Sequence, residues 1–181
     1  ALHAVIQLLF HEGRDLDEIA TELNRHIHNW SAENKFITMI LVSIDPDHGT
    51  IEYVNAGHNP AYLLVNGRLE QIKSHGLPIG ILPTTRYLAQ TRPFPEGSCV
   101  VLYSDGITEA ESPAGQPFEE TGLEGLLATY AAFPAAEIGT ETIKGVERHA
   151  QDTRFSDDLT ILVMKREASH SSPPGARSSL G

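Results

Sequence analysis

Two acidic dipeptides stand far apart in this chain, each at the edge of an apolar run. Asp105-Gly106 follows Val100-Val101-Leu102-Tyr103-Ser104, and Asp157-Asp158 precedes Leu159-Thr160-Ile161-Leu162-Val163. The β-branched, apolar runs read as buried strands. A carboxylate at the rim of a core needs a partner, because burying a lone charge is costly. Two such carboxylates brought together offer hard oxygen ligands to a divalent cation such as Mg2+ or Mn2+. The chemistry this suits is metal-assisted hydrolysis, with a phosphate ester as the fitting substrate. Taken singly, each pair also has a plain reading. Asp-Gly is common where a strand ends in a turn, and an acidic pair is common in a solvated loop.

Two further segments carry polar or glycine-rich turns. In Asn55-Ala56-Gly57-His58-Asn59-Pro60-Ala61, the small residues allow a tight turn and Pro60 fixes its exit. His58 and Asn59 project from it, either as exposed tips of a hairpin or at the mouth of a site. In Ser74-His75-Gly76-Leu77-Pro78-Ile79-Gly80-Ile81, apolar residues between glycines predict a loop packed on the body. His26 and His28 lie two apart on a helical stretch, so they face different directions and do not chelate as a pair. No Gly-x-Ser-x-Gly elbow and no Gly-x-x-x-x-Gly-Lys phosphate loop occurs.

The elements that must position these groups are legible from pattern. Asp15 with Glu18 reads as a capping box, and Leu16, Ile19, Ala20, Leu23, Ile27 and Trp30 then follow a helical period with one core face. Residues 1–10 read as the back half of another buried helix, uncapped at its start. Strands are expected over residues 36–45, 50–55, 61–65, 68–73, 86–92, 98–103 and 159–165. Asn66-Gly67 is suited to a type I′ hairpin turn. Helices are expected over residues 119–130 and 135–151. Residues 1–166 form one domain, and from residue 167 the composition shifts to Ser, Pro, Gly and Ala, as in a disordered tail or linker. Short turns between strands imply largely antiparallel pairing, and the succession of helices and meandering strands is α+β.

A net charge of −11 argues against nucleic-acid binding, which needs a basic face, and against anionic membranes. The single cysteine, Cys99, permits no intramolecular disulfide, sits in a strand-like run, and reads as a small buried hydrophobe. No apolar stretch is long enough to span a bilayer and no signal peptide is present, so the cytoplasm is the expected location.

The succession Asn-Ala-Gly-His-Asn-Pro, Gly-Leu-Pro-Ile-Gly, Leu-Tyr-Ser-Asp-Gly-Ile-Thr-Glu-Ala and Asp-Asp-Leu-Thr resembles the SpoIIE-like branch of the metal-dependent (PPM, type 2C) serine/threonine protein phosphatases, over residues 1–166. The resemblance implies an antiparallel β-sandwich flanked by helices in α-β-β-α layers. It implies hydrolysis of phosphoserine or phosphothreonine by a metal-activated water, with a pair of Mn2+ or Mg2+ ions. The substrate implied is a phosphorylated regulatory protein, such as an anti-sigma-factor antagonist. By motif match Asp105 and Asp157 are the metal ligands, with Gly106, His58, Asn59 and Asp158 at the rim. The family's upstream Gly-Asp and Asp-Val-Ser-Gly-(His/Lys)-Gly elements do not occur in this sequence. The expectation is therefore a chain incomplete on its N-terminal side, holding half of the two-metal site. Pairing into a homodimer through an upstream regulatory region is left open. The alternative is a catalytically inactive, phosphatase-like interaction module.

Overall fold

The computed structural model describes residues 14–30 and 35–167. The helix expected over residues 1–10 and the tail from residue 168 lie outside the described residues. The elements run α1 (Leu16–Trp30), β1 (Met39–Asp45), β2 (Thr50–Ala56), β3 (Ala61–Val65), β4 (Arg68–Ile72), β5 (Gln90–Pro93), β6 (Cys99–Tyr103), α2 (Asp105–Thr108), α3 (Glu119–Tyr130), α4 (Ala135–Ala150) and β7 (Ile161–Lys165).

Two antiparallel sheets form, one ordered β1-β2-β5 and the other β4-β3-β6-β7. Three apolar clusters follow from the period-2 alternation of the strands. Between the sheets lie Ile51, Tyr53, Leu63, Ile72, Phe94 and Val100. On the outer face of the first sheet, α1 buries Leu16, Ile19, Ala20 and Leu23 against Val54 and Ala56. On the outer face of the second, α3 and α4 bury Leu123, Leu127, Ile138 and Val146 against Tyr62, Val101 and Tyr103. The layers are therefore α-β-β-α, as expected from the sequence. The Asn66-Gly67 turn has positive φ at both residues, 51° and 74°, which the type I′ geometry requires.

Several boundaries differ from the sequence reading. Trp30 was expected in the core but is 71% exposed, its ring tilted against His26 with centroids 5.1 Å apart. The fully buried residues of α1 end at Asn24; in its last turn Ile27 still packs on the cluster while Trp30 faces solvent. The capping box does not close: the Glu18 amide donates to the carboxylate of Asp17, not of Asp15. The strand expected over residues 86–92 begins only at Gln90, because Tyr87 turns inward to α1 instead. Its amide donates to Thr21 Oγ1 and its hydroxyl to the Leu77 carbonyl. The last strand starts at Ile161, two residues later than expected, and the short helix α2 was not anticipated.

Candidate functional site

β6 and β7 pair in register from Cys99↔Lys165 to Tyr103↔Ile161. This register alone brings the end of β6, where Asp105 follows, beside the start of β7, which Asp157 precedes. Ser104 completes the junction. Its amide donates to the Thr160 carbonyl at 3.0 Å, while its own carbonyl accepts from Ile107 as the chain turns into α2. Its hydroxyl donates to the Asp158 carbonyl at 2.8 Å and accepts from the Thr160 amide at 3.0 Å. Gly106 presses on the same segment: a Cβ there would stand 2.6 Å from the Asp158 carbonyl oxygen. Only glycine permits that approach.

Both carboxylates are exposed. Asp105 Oδ1 accepts from the Gly106 amide at 3.1 Å, and Asp157 Oδ1 from the Asp158 amide at 2.7 Å. Asp157 and Asp158 open onto a polar depression whose wall also includes Arg154 and Ser156. A separate groove between α4 and β7, floored by Ile143, Ile161 and Val163, contains no residue of either acidic loop.

The histidine turn reaches the same end of the sandwich. β3 pairs with β6 from Leu64↔Cys99 to Tyr62↔Val101, so the turn that leads into β3 lies at the end of the sheet where β6 runs on to Asp105. The turn hangs on Asn55, which is fully buried. Its Oδ1 accepts from the His58 amide at 2.9 Å, and its Nδ2 donates to the carbonyls of Asn59 and Ile72 at 3.2 and 3.3 Å. Its backbone carbonyl receives His75, Gly76 and the Ser74 hydroxyl. Gly57 takes φ +74° with Pro78 packed against it, so the loop after β4 buttresses the turn. Burial pushes the half-buried His58 imidazole below its ordinary value of 6.5, while the nearby Asp105 charge pulls it back up. His58 and Asp105 are thus electrostatic neighbours across the two loops. His28, in the last turn of α1, has Nδ1 2.8 Å from the Gly80 carbonyl.

The structure therefore brings together Asp105, Gly106, Asp157 and Asp158, and places His58 near them, with Asn59 beside it on the turn. Sequence reasoning passed over Ser104 and Asn55 as organisers. A hydroxyl residue before the aspartate, and a polar residue closing an apolar strand, were the available signals. The donor set fits a hard cation in kind, since carboxylate oxygens suit Mg2+ and Mn2+. In number it falls short: among the described residues no group of three or more His, Cys, Asp or Glu side chains could hold a metal ion.

Comparison with known proteins is in keeping with this geometry. The family model for Stage II sporulation protein E (SpoIIE) matches residues 1–167. Protein IcfG of Synechocystis sp. (strain ATCC 27184 / PCC 6803 / Kazusa) is 29% identical over 136 residues, covering 72% of this chain and 21% of that protein. Phosphoserine phosphatase RsbU of Bacillus subtilis (strain 168) is 27% identical over 152 residues, covering 83% and 45%. The chain thus spans less than half the length of these relatives. Among solved structures, the SiaA-PP2C domain of Pseudomonas aeruginosa superimposes with a TM-score of 0.79 at 20% identity, covering 92% of this chain and 68% of that one. That likeness shows the fold.

Proposed function

The chain belongs to the Stage II sporulation protein E (SpoIIE) family, and on that premise we propose that it is the phosphatase domain of a bacterial signalling protein. It hydrolyses phosphoserine or phosphothreonine on a phosphorylated regulatory protein, with an anti-sigma-factor antagonist as the expected kind of substrate. Residues 1–166 constitute the domain and 167–181 a tail or linker. The observation that supports this reading is the stitched junction of β6 and β7, which brings together the loops that carry the exposed Asp105 and Asp157. In this reading Asp105 and Asp157 hold part of a Mn2+ or Mg2+ site, with further ligands supplied from outside the described residues. Bound there, the metal lowers the pKa of a coordinated water and polarises the phosphoryl group. The chain's own part is positional. The Ser104 and Gly106 contacts fix the separation of the two carboxylates, and Asn55 holds His58 and Asn59 over the site.

The phosphoserine phosphatase activity in the name of RsbU supports this substrate class. The acidic character of the chain, at −11, favours a protein partner over nucleic acid or an anionic membrane. Among the described residues no helix is long and apolar enough to cross a membrane, in keeping with action in the cytoplasm. The test is Mn2+-dependent phosphate release from a phosphoserine protein and from p-nitrophenyl phosphate, by the full-length protein and its Asp105→Asn variant. Metal-dependent release that the variant loses is the expected result. A second reading, a phosphatase-like interaction module without activity, draws on the shortage of ligands among the described residues. Full-length protein that binds its partner yet releases no phosphate from any such substrate favours that reading.

A further inference from the structure

We infer that Ser104 is a positioning residue for the metal, the hydroxyl that sets the spacing between Asp105 and Asp157. The inference rests on the metal reading proposed above. In an antiparallel ladder every second pair of facing residues exchanges both backbone N–H···O=C bonds. The rung after Tyr103↔Ile161 faces Ser104 with Thr160, and only half of it is made by backbone: the Ser104 amide donates to the Thr160 carbonyl. The returning bond needs the Ser104 carbonyl, which has turned away to accept from Ile107 in the first turn of α2. The Ser104 hydroxyl takes its place. It accepts from the Thr160 amide and donates a hydrogen bond to the Asp158 carbonyl, using one donor and one acceptor position of a group that has one of the former and two of the latter.

The consequence is specific to the site. Ser104 stands at the N-cap position of α2 in extended conformation, yet its side chain makes no cap bond to that helix. The hydroxyl is spent across the junction instead, on the residue that follows Asp157. On the other flank of Asp105, Gly106 lies against the same carbonyl. The two loops are thus held on both sides of Asp105, and each carboxylate uses one oxygen to accept from the next residue's amide. Groups that orient metal ligands in this way affect affinity without touching the metal.

The experiment measures Mn2+ binding to the full-length protein from the EPR signal of free ion, for the wild type, Ser104→Ala, Ser104→Thr and Gly106→Ala. Ser104→Ala is expected to weaken Mn2+ binding about 10- to 100-fold. Turnover at limiting Mn2+ falls with it and recovers at saturating Mn2+. Ser104→Thr keeps the hydroxyl and stays within about twofold of wild type. Gly106→Ala keeps the hydroxyl but drives the Asp158 carbonyl away, and weakens binding in the same direction. Should Ser104→Ala not fold, Ser104→Cys, whose thiol is a weak donor and acceptor, is measured in its place with the same expected weakening. A serine that merely stabilises the fold lowers the thermal midpoint and leaves Mn2+ affinity unchanged, and that outcome overturns the inference. So does a threonine variant as weak as alanine. Wild-type protein that binds no Mn2+ overturns this inference and the proposed function together. Wild-type binding that Ser104→Ala leaves unaltered overturns the inference alone.

Discussion

The acidic loops and the histidine turn meet at one end of the sandwich, yet they are held in opposite ways. Asp105 and Asp157 sit in water on loops joined by ladder ends and one hydroxyl. The turn carrying His58 and Asn59 is gripped from inside by Asn55, a fully buried side chain with three hydrogen bonds. The difference follows from charge. Burying a carboxylate costs far more than burying a neutral group, so the two aspartates are left at high dielectric with light restraint. A neutral turn has no such cost, and a buried amide can fix it because both its donors and its oxygen are hydrogen-bonded. Substitutions in the first region should therefore act on function, and those beneath the second on folding.

The largest effect expected is functional. Asp105→Asn in the full-length protein should lower Mn2+-dependent phosphate release about a hundredfold or more, since a metal ligand is lost. The thermal midpoint in the absence of metal should hold or rise, because one charge leaves a repulsive cluster. Phosphate-release assays beside thermal unfolding check both halves. A variant that keeps full activity removes Asp105 from the ligand set and breaks the comparison at its first term.

Asn55→Ala tests the second region. It strips a partner from the His58 amide and from the carbonyls of Asn59 and Ile72 at a buried position, and should cost about 2–4 kcal/mol. Urea unfolding monitored by circular dichroism measures it. A loss below about 0.5 kcal/mol, the range of ordinary surface changes, shows that the turn is held by something other than this amide.

How much of this was legible in the sequence follows the same division. The strands, the Asn66-Gly67 turn and α3 were readable because apolar periodicity and turn chemistry are local signals. The aspartates were readable because a charge at the end of a buried run is conspicuous. Ser104 and Asn55 were not. The partners of Ser104 lie 54 and 56 residues away and are brought near by strand pairing, while the Ile72 partner of Asn55 lies 17 residues away in the other sheet. The exposure of Trp30 was hidden for a related reason. Helical period predicts a face, while the length of sheet available beneath it is set by β1 and β2. The expected strand at residues 86–89 yielded to Tyr87, whose ring and hydroxyl are satisfied by α1 and its loop. Tertiary bonds there outweighed a β-prone stretch.

A smaller effect measures the coupling between the two regions. Burial lowers the His58 pKa and Asp105 raises it. In Asp105→Asn the raising charge is gone, so the His58 resonance should titrate at lower pH than in wild type, as read by NMR in metal-free protein. With a folded-state value below the ordinary one, the unfolded chain takes up the proton more readily. His58 therefore favours the fold above pH 6.5 and costs stability as the pH falls through that value. An unchanged titration in Asp105→Asn separates the loops electrostatically and leaves only their shared end of the sandwich in common.

The smallest effect expected on the fold is at Asn59, and it divides position from chemistry within the turn. Asn55 holds Asn59 by its backbone carbonyl, a group every residue carries, and Pro60 fixes the exit whatever precedes it. Asn59→Ala should therefore change stability by less than about 0.5 kcal/mol, in contrast to Asn55→Ala four residues earlier. Activity is then a clean reading of what the side chain does at the mouth of the site. If phosphate release from a phosphoprotein falls while p-nitrophenyl phosphate hydrolysis is kept, Asn59 contacts the substrate protein beyond its phosphoryl group. If both fall together, it acts on the chemistry common to both. If neither moves, the functional part of the turn shrinks to His58, and the buried amide below it serves one residue rather than two.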